Sequence, residues 1–600
     1  MIAAGLSAYG PAAGQERPES ILPPGFGEPA SQPSPRATAA SPRPGATAPA
    51  PGATDRASAP VPSATGFVQP LPTPSPTPVA SATPSPTPTI DPAVLAQYEM
   101  PDFARRSLDI VGPAGVREGA LPANAFGGAD GRYVEALMRR IAAPVPSRWL
   151  SILMRRTLVA QLDTPARVHG ADFAAERAWL LLRMGEAVGA RAVVQSVDTA
   201  NYTPKLYQVA MNTALATGDP AHMCGIADAG LAATPSRGWT LAQAMCAGLS
   251  GEPARAKGLI TAARRRRVAT GIDLQLAQKV VGAGPNGGQA VTIEWAGVNT
   301  LTAWRFGLAT ATGVTIPDSL LASVGPQARY WYALSPSIPL ADRLAPAEAA
   351  AAQGVLSAAA LVDLYSVVDA ADEMPSAATA TANDLRTAYV GNDINTRLAA
   401  MRSLWGKADR AGDTDPAYAR LVLTARAAAR LPARLGVEDA RVLVASMLTA
   451  GLDRSAARWR AAVDEGGDAW AMIALADPDA GRMSYRALSS YSGRGDAALK
   501  QRLFFAGLAG LGRLSAEDIE RAAAALDVRI GAENSWTRAI DRAAADGQQG
   551  TVVMLAAIGM QTPTWRGVPP AMLYRIIGAL RSVGLDGEAR MIAAEALARV

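Results

Sequence analysis

The segment LLLRMGEAVGAR (residues 180–191) has a pattern that returns twice in the chain, as ALATGDPAHM and as AGLSGEPARA. Each copy joins an apolar helix end, a glycine, an acidic residue and a new helix start rich in small residues. The three glycines are 33 residues apart: Gly185, Gly218 and Gly251. Glycine can take the left-handed conformation that closes one helix, and an acidic side chain stabilises the positive end of the next. The pattern therefore predicts helical hairpins in series.

The body of the chain, from about residue 93 to 600, has helical composition and spacing. Ala, Leu, Arg, Met and Glu dominate, and apolar residues recur at three- and four-residue intervals. The best strand candidate is the run AVTIEW at residues 290–295, and one short run cannot make a sheet. The sequence thus predicts an all-α fold.

The 33-residue spacing and its turn chemistry resemble those of the tetratricopeptide-like family of helical hairpins, over residues 173–281. The family's bulky aromatic positions are mostly missing and the period ends near residue 284, so we expect an irregular α-solenoid of stacked hairpins. The chain as a whole resembles Ala- and Pro-rich envelope proteins of alphaproteobacteria. The predicted organisation has four parts: a disordered segment (1–92), a first helical block (93–284), an irregular helical connector (285–385) and a second helical block (386–600).

The first 92 residues are predicted to be disordered, because they hold 22 of the 45 prolines and few aliphatic residues. Within them, residues 70–92 have proline at nearly every second position, which favours a polyproline II spacer of about 70 Å at about 3.1 Å per residue. A linker or envelope stalk is the main interpretation, with an SH3-type ligand or an O-glycosylated stretch as alternatives. Residues 1–15 are similar to the tail of an export signal, which favours the periplasm; a cytoplasmic protein with an Ala-rich tail is the alternative.

The two cysteines, Cys224 and Cys246, give a second indication of compartment. Their midpoint is Pro235, in a predicted turn, so antiparallel helices on either side would bring them level with each other. We therefore predict a disulfide between them, which would persist only in an oxidising compartment. Two buried free thiols are the alternative.

Composition excludes several classes of function. With two histidines and two cysteines in 600 residues, no His- or Cys-based metal site, catalytic triad or cofactor is expected. The net charge of +5 does not indicate a nucleic-acid binder, and no apolar run is long enough to span a bilayer. The glycine-rich stretch at residues 282–288 lacks the strand and helix of a phosphate loop, so we interpret it as a flexible break.

Two clusters remain as candidate contact surfaces. The first is a run of four arginines that could bind an anionic partner or simply end a helix in solvent: Arg264, Arg265, Arg266 and Arg267. The second is an aromatic cluster that could contact a sugar or peptide or pack in the core: Tyr330, Trp331 and Tyr332.

The sequence supports three functional hypotheses. The first is a non-enzymatic periplasmic scaffold or adaptor that binds a protein or peptide partner in an envelope assembly. The second is a protein that binds or remodels cell-wall glycan, since the helical body resembles the scaffold part of some lytic transglycosylases. Their catalytic motif is missing here; its nearest match is the ENSW run at residues 533–536, so no catalytic residue is assigned. The third is a cytoplasmic regulatory repeat protein with reduced cysteines.

Overall fold

The computed structural model describes residues 101–285, 287–288, 290–406, 415–434 and 437–600. The segment predicted to be disordered, 1–92, lies outside the described residues. The chain divides into two units, and the described part of the first runs over Arg106–Val600. Of the second unit, residues 101–105 are described, with a 3-10 helix at Asp102–Ala104.

The described residues form 27 α-helices, which confirms the predicted all-α fold class. The first nine are α1 (Gly131–Arg140), α2 (Arg148–Leu158), α3 (Gly170–Met184), α4 (Ala187–Gln195), α5 (Pro204–Ala216), α6 (Ala227–Ala233), α7 (Arg237–Leu249), α8 (Pro253–Arg265) and α9 (Gly271–Gly282). The next six are α10 (Ala303–Ala311), α11 (Asp318–Ala322), α12 (Gln327–Leu334), α13 (Leu340–Gln353), α14 (Ala358–Asp369) and α15 (Ser376–Val390). The boundary placed after residue 385 falls inside α15, so the helix runs on from the connector into the next block.

The remaining twelve helices complete the body. They are α16 (Ile394–Trp405), α17 (Asp415–Ala429), α18 (Ala440–Thr449), α19 (Asp453–Ala457), α20 (Asp468–Ala476), α21 (Tyr485–Ser489), α22 (Ala497–Gly510), α23 (Ala516–Ala525), α24 (Ser535–Ala545), α25 (Gln549–Gly559), α26 (Pro570–Ser582) and α27 (Asp586–Ala598). Further 3-10 helices lie at Val116–Glu118, Thr199–Asn201, Pro220–Ile226, Arg460–Ala462 and Trp565–Gly567.

Strand structure in the described residues is limited to one short antiparallel pair. β1 (Ile110–Val111) pairs with β2 (Leu162–Asp163). The run at 290–295 forms no strand in its described part, in keeping with the expectation that one isolated run cannot make a sheet.

The three repeated turns have the predicted backbone. Gly185, Gly218 and Gly251 all lie in the left-handed region, with φ of 90°, 63° and 78°. In each turn the acidic residue after the glycine has a backbone N–H that donates to a carbonyl of the preceding helix; Glu186 N, for example, donates to Leu181 O at 2.9 Å. Consecutive helices then pack against one another, as α7 does on α8 and α3 on α4.

Helices from opposite ends of the body also contact each other. α2 packs against α25 and α27, so the first predicted block touches the last one directly. The backbone N–H of Gly550 donates to Ala125 O at 2.7 Å. One hydrophobic core runs through these contacts, from Val111 to Val600.

Arginine side chains close many helix C-termini, where the last carbonyls have no partner within the helix. Each of these arginines lies outside the helix that it caps and donates to a carbonyl in the last turn of that helix. Arg183 caps α1, Arg343 caps α12, Arg397 caps α15, Arg458 caps α17, Arg148 caps α18 and Arg513 caps α20. The positive charge also complements the negative end of the helix dipole. The guanidinium groups thus join separate segments of the body at the ends of its helices.

Candidate functional site

An open cleft of about 590 Å³ lies between the turn after α12 and the outer face of α14. We call it the α14 cleft. One wall is the turn and the first residues of α13: Pro336, Ser337, Ile338, Pro339, Leu340 and Arg343. The other wall is a face of α14: Ala360, Asp363, Leu364 and Val367.

The cleft exists because α14 is apolar on two sides. The Ser357 side chain accepts from Ala360 N and begins the helix. Leu361 and Val368 face the core and are buried. The cleft residues on α14 have the spacing i, i+3, i+4 and i+7 and form one face; at its end, the Val367 side chain is 54% exposed. An apolar helix face left open in this way is typical of a binding surface.

The turn that forms the other wall is held open by its prolines. Pro336 and Pro339 cannot donate a backbone hydrogen bond, and Pro339 has the extended backbone that precedes α13 (φ −52°, ψ 142°). Ile338 between them is buried and anchors the turn in the core. The chain therefore leaves α12, turns and enters α13 without covering α14.

Two charged groups on the cleft walls lack an ion-pair partner among the described residues. Asp363 forms no side-chain hydrogen bond or ion pair there, and partial burial raises the pKa of its carboxyl although the charge of Arg426 opposes the shift. On the facing wall, Arg343 Nε donates to Ala333 O at 3.2 Å, and burial lowers the pKa of its guanidinium. The cleft thus offers an apolar floor with one acceptor and one donor of opposite charge.

The predicted disulfide is present. Cys224 and Cys246 are bonded, with their Cα atoms 5.3 Å apart. Cys224 lies in the 3-10 helix Pro220–Ile226 and Cys246 in α7, on either side of the predicted turn.

The arginine run lies at the C-terminus of α8, where the helix ends at Arg265. Arg264, Arg265, Arg266 and Arg267 form no ion pair with a described carboxylate, and their run is exposed to solvent. The position fits a solvated helix end, and binding of an anionic partner stays a prediction.

The aromatic cluster packs mainly in the core. Tyr330 and Tyr332 are buried, and Trp331 lies edge to face with Phe306 at a centroid distance of 5.6 Å. Tyr330 also packs closely on Gly185. This placement favours the packing alternative, and none of the three residues lines the α14 cleft.

No catalytic arrangement is evident in the described residues. Glu533 is exposed, while Asn534 accepts hydrogen bonds from Trp536 N and Thr537 N; this part of the ENSW run is a helix cap. His222 Nδ1 lies 3.1 Å from Arg191 Nη2, and His169 directly precedes α3. The described part of the chain has no group of three His, Cys, Asp or Glu placed to hold a metal ion.

A cluster of buried polar residues surrounds Asp468 at the start of α20. The hydroxyl of Tyr491 donates to Asp468 Oδ1 at 2.5 Å, and Lys500 Nζ lies 3.4 Å from Oδ2. All three residues are buried, so this cluster joins α20, α22 and the loop between α21 and α22 and offers no access to a ligand.

Sequence reasoning missed the α14 cleft, because a helix with apolar residues on two sides is normally expected to be fully buried.

The described helices include none that is long and apolar enough to cross a membrane. No family model, curated protein or solved structure matches this chain.

Proposed function

We propose that this protein is a non-enzymatic scaffold or adaptor that binds a protein or peptide partner through the α14 cleft, within a bacterial cell-envelope assembly. The observation that carries the proposal is the open apolar face of α14, with Asp363 and Arg343 free of ion pairs on its two walls, among the described residues. An extended segment of a partner can place an apolar side chain on Leu364 and Val367, a cation at Asp363 and a carbonyl or carboxylate at Arg343.

Other features support this choice over the alternatives. A glycan site needs aromatic rings on which sugars stack, and the residues that line the α14 cleft include none. A cytoplasmic protein would keep its cysteines reduced, whereas this chain has Cys224 and Cys246 bonded. The disulfide and the signal-like residues 1–15 support a periplasmic location.

The binding proposal is tested by photo-crosslinking in the native cell. A photoreactive amino acid replaces Val367 in the cleft, and the matched control replaces Val390, which is 68% exposed on α15 outside the cleft lining. We expect a discrete adduct from position 367, its loss when Ala360→Arg fills the cleft, and no such adduct from position 390. Equal labelling from both positions, or none at 367, would contradict the proposal.

The location is tested separately by the intact mass of protein from its native cell, with and without reduction before alkylation. We expect a processed N-terminus and two cysteines that alkylate only after reduction. A full-length chain that alkylates at both cysteines without reduction would support the cytoplasmic alternative instead.

A further inference from the structure

The three repeated turns differ in the helix that each one leads into. After Gly185 and Gly251 the chain enters an α-helix two residues later, as α4 and α8. After Gly218 it enters a seven-residue 3-10 helix, Pro220–Ile226, and becomes α-helical only in α6. The 3-10 helix has poorer hydrogen-bond geometry than the α-helix and seldom extends beyond three or four residues. The seven-residue 3-10 helix therefore needs contacts beyond its own backbone hydrogen bonds.

The disulfide is the covalent restraint on this segment. Cys224 lies in the fifth position of the 3-10 helix and is bonded to Cys246 on α7, the partner helix of the same hairpin. Both cysteines are only half-buried, so a reductant can reach the bond. The neighbouring Gly225 is exposed and has no heavy atom within 4 Å of where a Cβ would lie, so the outer side is uncovered at this position.

Non-covalent contacts hold the start and the inner side of the segment. Asp219, just before it, forms an ion pair with Arg191 of α4 at 3.0 Å, and the same guanidinium donates to His222. Within the 3-10 helix, Met223 and Ile226 are buried. These contacts hold the start and the inner side of the 3-10 helix, whereas Cys224, which is only half-buried, is held by the disulfide.

We propose that the Cys224–Cys246 disulfide is a redox-controlled clamp, and that its reduction by a dithiol opens Pro220–Ile226 while the flanking hairpins keep their structure. A thiolate of the dithiol attacks one cysteine sulfur, and the other leaves as a thiolate. The second thiolate of the reductant then attacks the reductant's own sulfur in the mixed disulfide, and the bonded cysteine leaves as a thiolate. Two electrons pass to the protein, two cysteine thiols form after protonation, and the dithiol becomes a disulfide.

Reduction of the disulfide would expose an apolar surface that is covered in the oxidised protein. When the segment opens, the apolar side chains of Met223 and Ile226 become accessible beside Arg191 and Asp219. The thiol state of the envelope would therefore decide whether this face of the hairpin is closed or available. The α14 cleft is formed by other helices and includes no residue of this segment.

The test is hydrogen–deuterium exchange of the full chain, oxidised and after reduction with dithiothreitol and alkylation, with complete reduction verified by intact mass. We expect exchange in peptides covering 220–226 to become at least about tenfold faster, as for a local opening. Peptides covering α8, which comes after the matching turn without a disulfide, serve as the internal control and stay unchanged. The Cys224→Ser/Cys246→Ser variant should reproduce the reduced pattern without any reagent.

Two results would overturn the clamp. Unchanged exchange in 220–226 after complete reduction would mean that the non-covalent contacts suffice. Equally faster exchange across α4 to α8 would mean that the disulfide stabilises the whole region and controls no separate segment.

Discussion

The hairpins from α3 to α9 and the junction between α2 and α27 are held together in opposite ways. In the hairpins, a glycine and the residue after it close α3, α5 and α7 within the turn itself, and the segment that follows packs on the helix just closed. At the junction, the carboxylate of Glu595 accepts from Ser147 Oγ at 2.6 Å and from Arg148 N at 2.8 Å, the latter across 447 residues. Local structure depends on sequence neighbours in the first region and on buried charge in the second.

Glu595 at the junction serves as a helix cap supplied from the other end of the chain. The first N–H groups of α2 have no partner within the helix, and Glu595 accepts from two of them, Arg148 N and Trp149 N. The Arg148 guanidinium, fully buried beside it, donates to Thr449 O and Leu356 O, and burial lowers its pKa to about 10. It remains charged at neutral pH, and its hydrogen bonds to these carbonyls satisfy it within the junction.

Removing the junction carboxylate should have the largest effect. Glu595→Ala leaves Arg148 N, Trp149 N and Ser147 Oγ without their buried acceptor and removes the ion pair with Arg599 at 3.7 Å. We expect a loss of about 3–5 kcal/mol in the free energy of unfolding. The measurement is urea unfolding followed by circular dichroism. The control is Glu517→Ala, which removes an exposed i,i+4 pair with Arg521 and should cost no more than about 0.5 kcal/mol. Equal losses in the two variants would show that the buried charge is not what joins the ends.

Two of the turn glycines, Gly185 and Gly251, share a backbone conformation but differ in what packs around them. Gly185→Ala and Gly251→Ala each place a Cβ in the left-handed region, at about 1–2 kcal/mol. At 185 that Cβ would lie 2.4 Å from Tyr330 Cδ2, whereas at 251 the nearest atom is Pro285 Cβ at 3.8 Å. We therefore expect Gly185→Ala to lower the free energy of unfolding by ~1–3 kcal/mol more than Gly251→Ala does, measured by the same urea unfolding. Equal costs would mean that only the backbone conformation matters at these turns.

These two regions also explain which features could be predicted from the sequence. The turn conformations result from glycine at a fixed spacing, and the disulfide from two cysteines placed symmetrically about Pro235, because both are local features of one hairpin. The contact between Glu595 and Arg148 has no local signature, since nothing near either residue marks its partner. The α14 cleft was missed for a related reason: whether the face of Leu364 and Val367 is covered depends on the course of a different segment.

The composition shows an excess of arginine over lysine, and the structure shows that several of these arginines cap helices. Only five of the 57 basic residues are lysine. Arg183 donates through Nη1 to Ile141 O and through Nη2 to Met138 O, both at 2.7 Å, which a lysine ammonium on a flexible stem cannot match with the same geometry.

Arg183→Lys should therefore cost about 1–2 kcal/mol in the free energy of unfolding, because at least one carbonyl at the end of α1 loses its donor. Arg264→Lys, at the exposed end of α8, is the matched control and should leave stability within about 0.5 kcal/mol of the parent. If both substitutions are neutral, the preference for arginine has no structural role at this cap.

The smallest expected effect is a pH dependence at the clamp segment. Burial lowers the pKa of His222 below its usual 6.5, with Arg191 acting in the same direction and Asp219 opposing it. Arg191 can only donate, so its hydrogen bond requires His222 Nδ1 to accept, as it can in the neutral ring. Between the lower folded pKa and about 6.5 the unfolded chain binds more protons, and stability rises with pH through that window.

We expect the parent to lose more of its free energy of unfolding than His222→Gln does when each protein is compared at pH 7.5 and pH 5. The glutamine variant cannot take up the proton, and it experiences the same titration of every carboxylate, so the difference isolates the histidine. The loss should be accompanied by faster hydrogen exchange in 220–226 at pH 5, corrected for the intrinsic rate. Identical pH dependence in the two proteins would show that the contact between Arg191 and His222 does not support the segment, which would then depend on the disulfide and on the burial of Met223 and Ile226 alone.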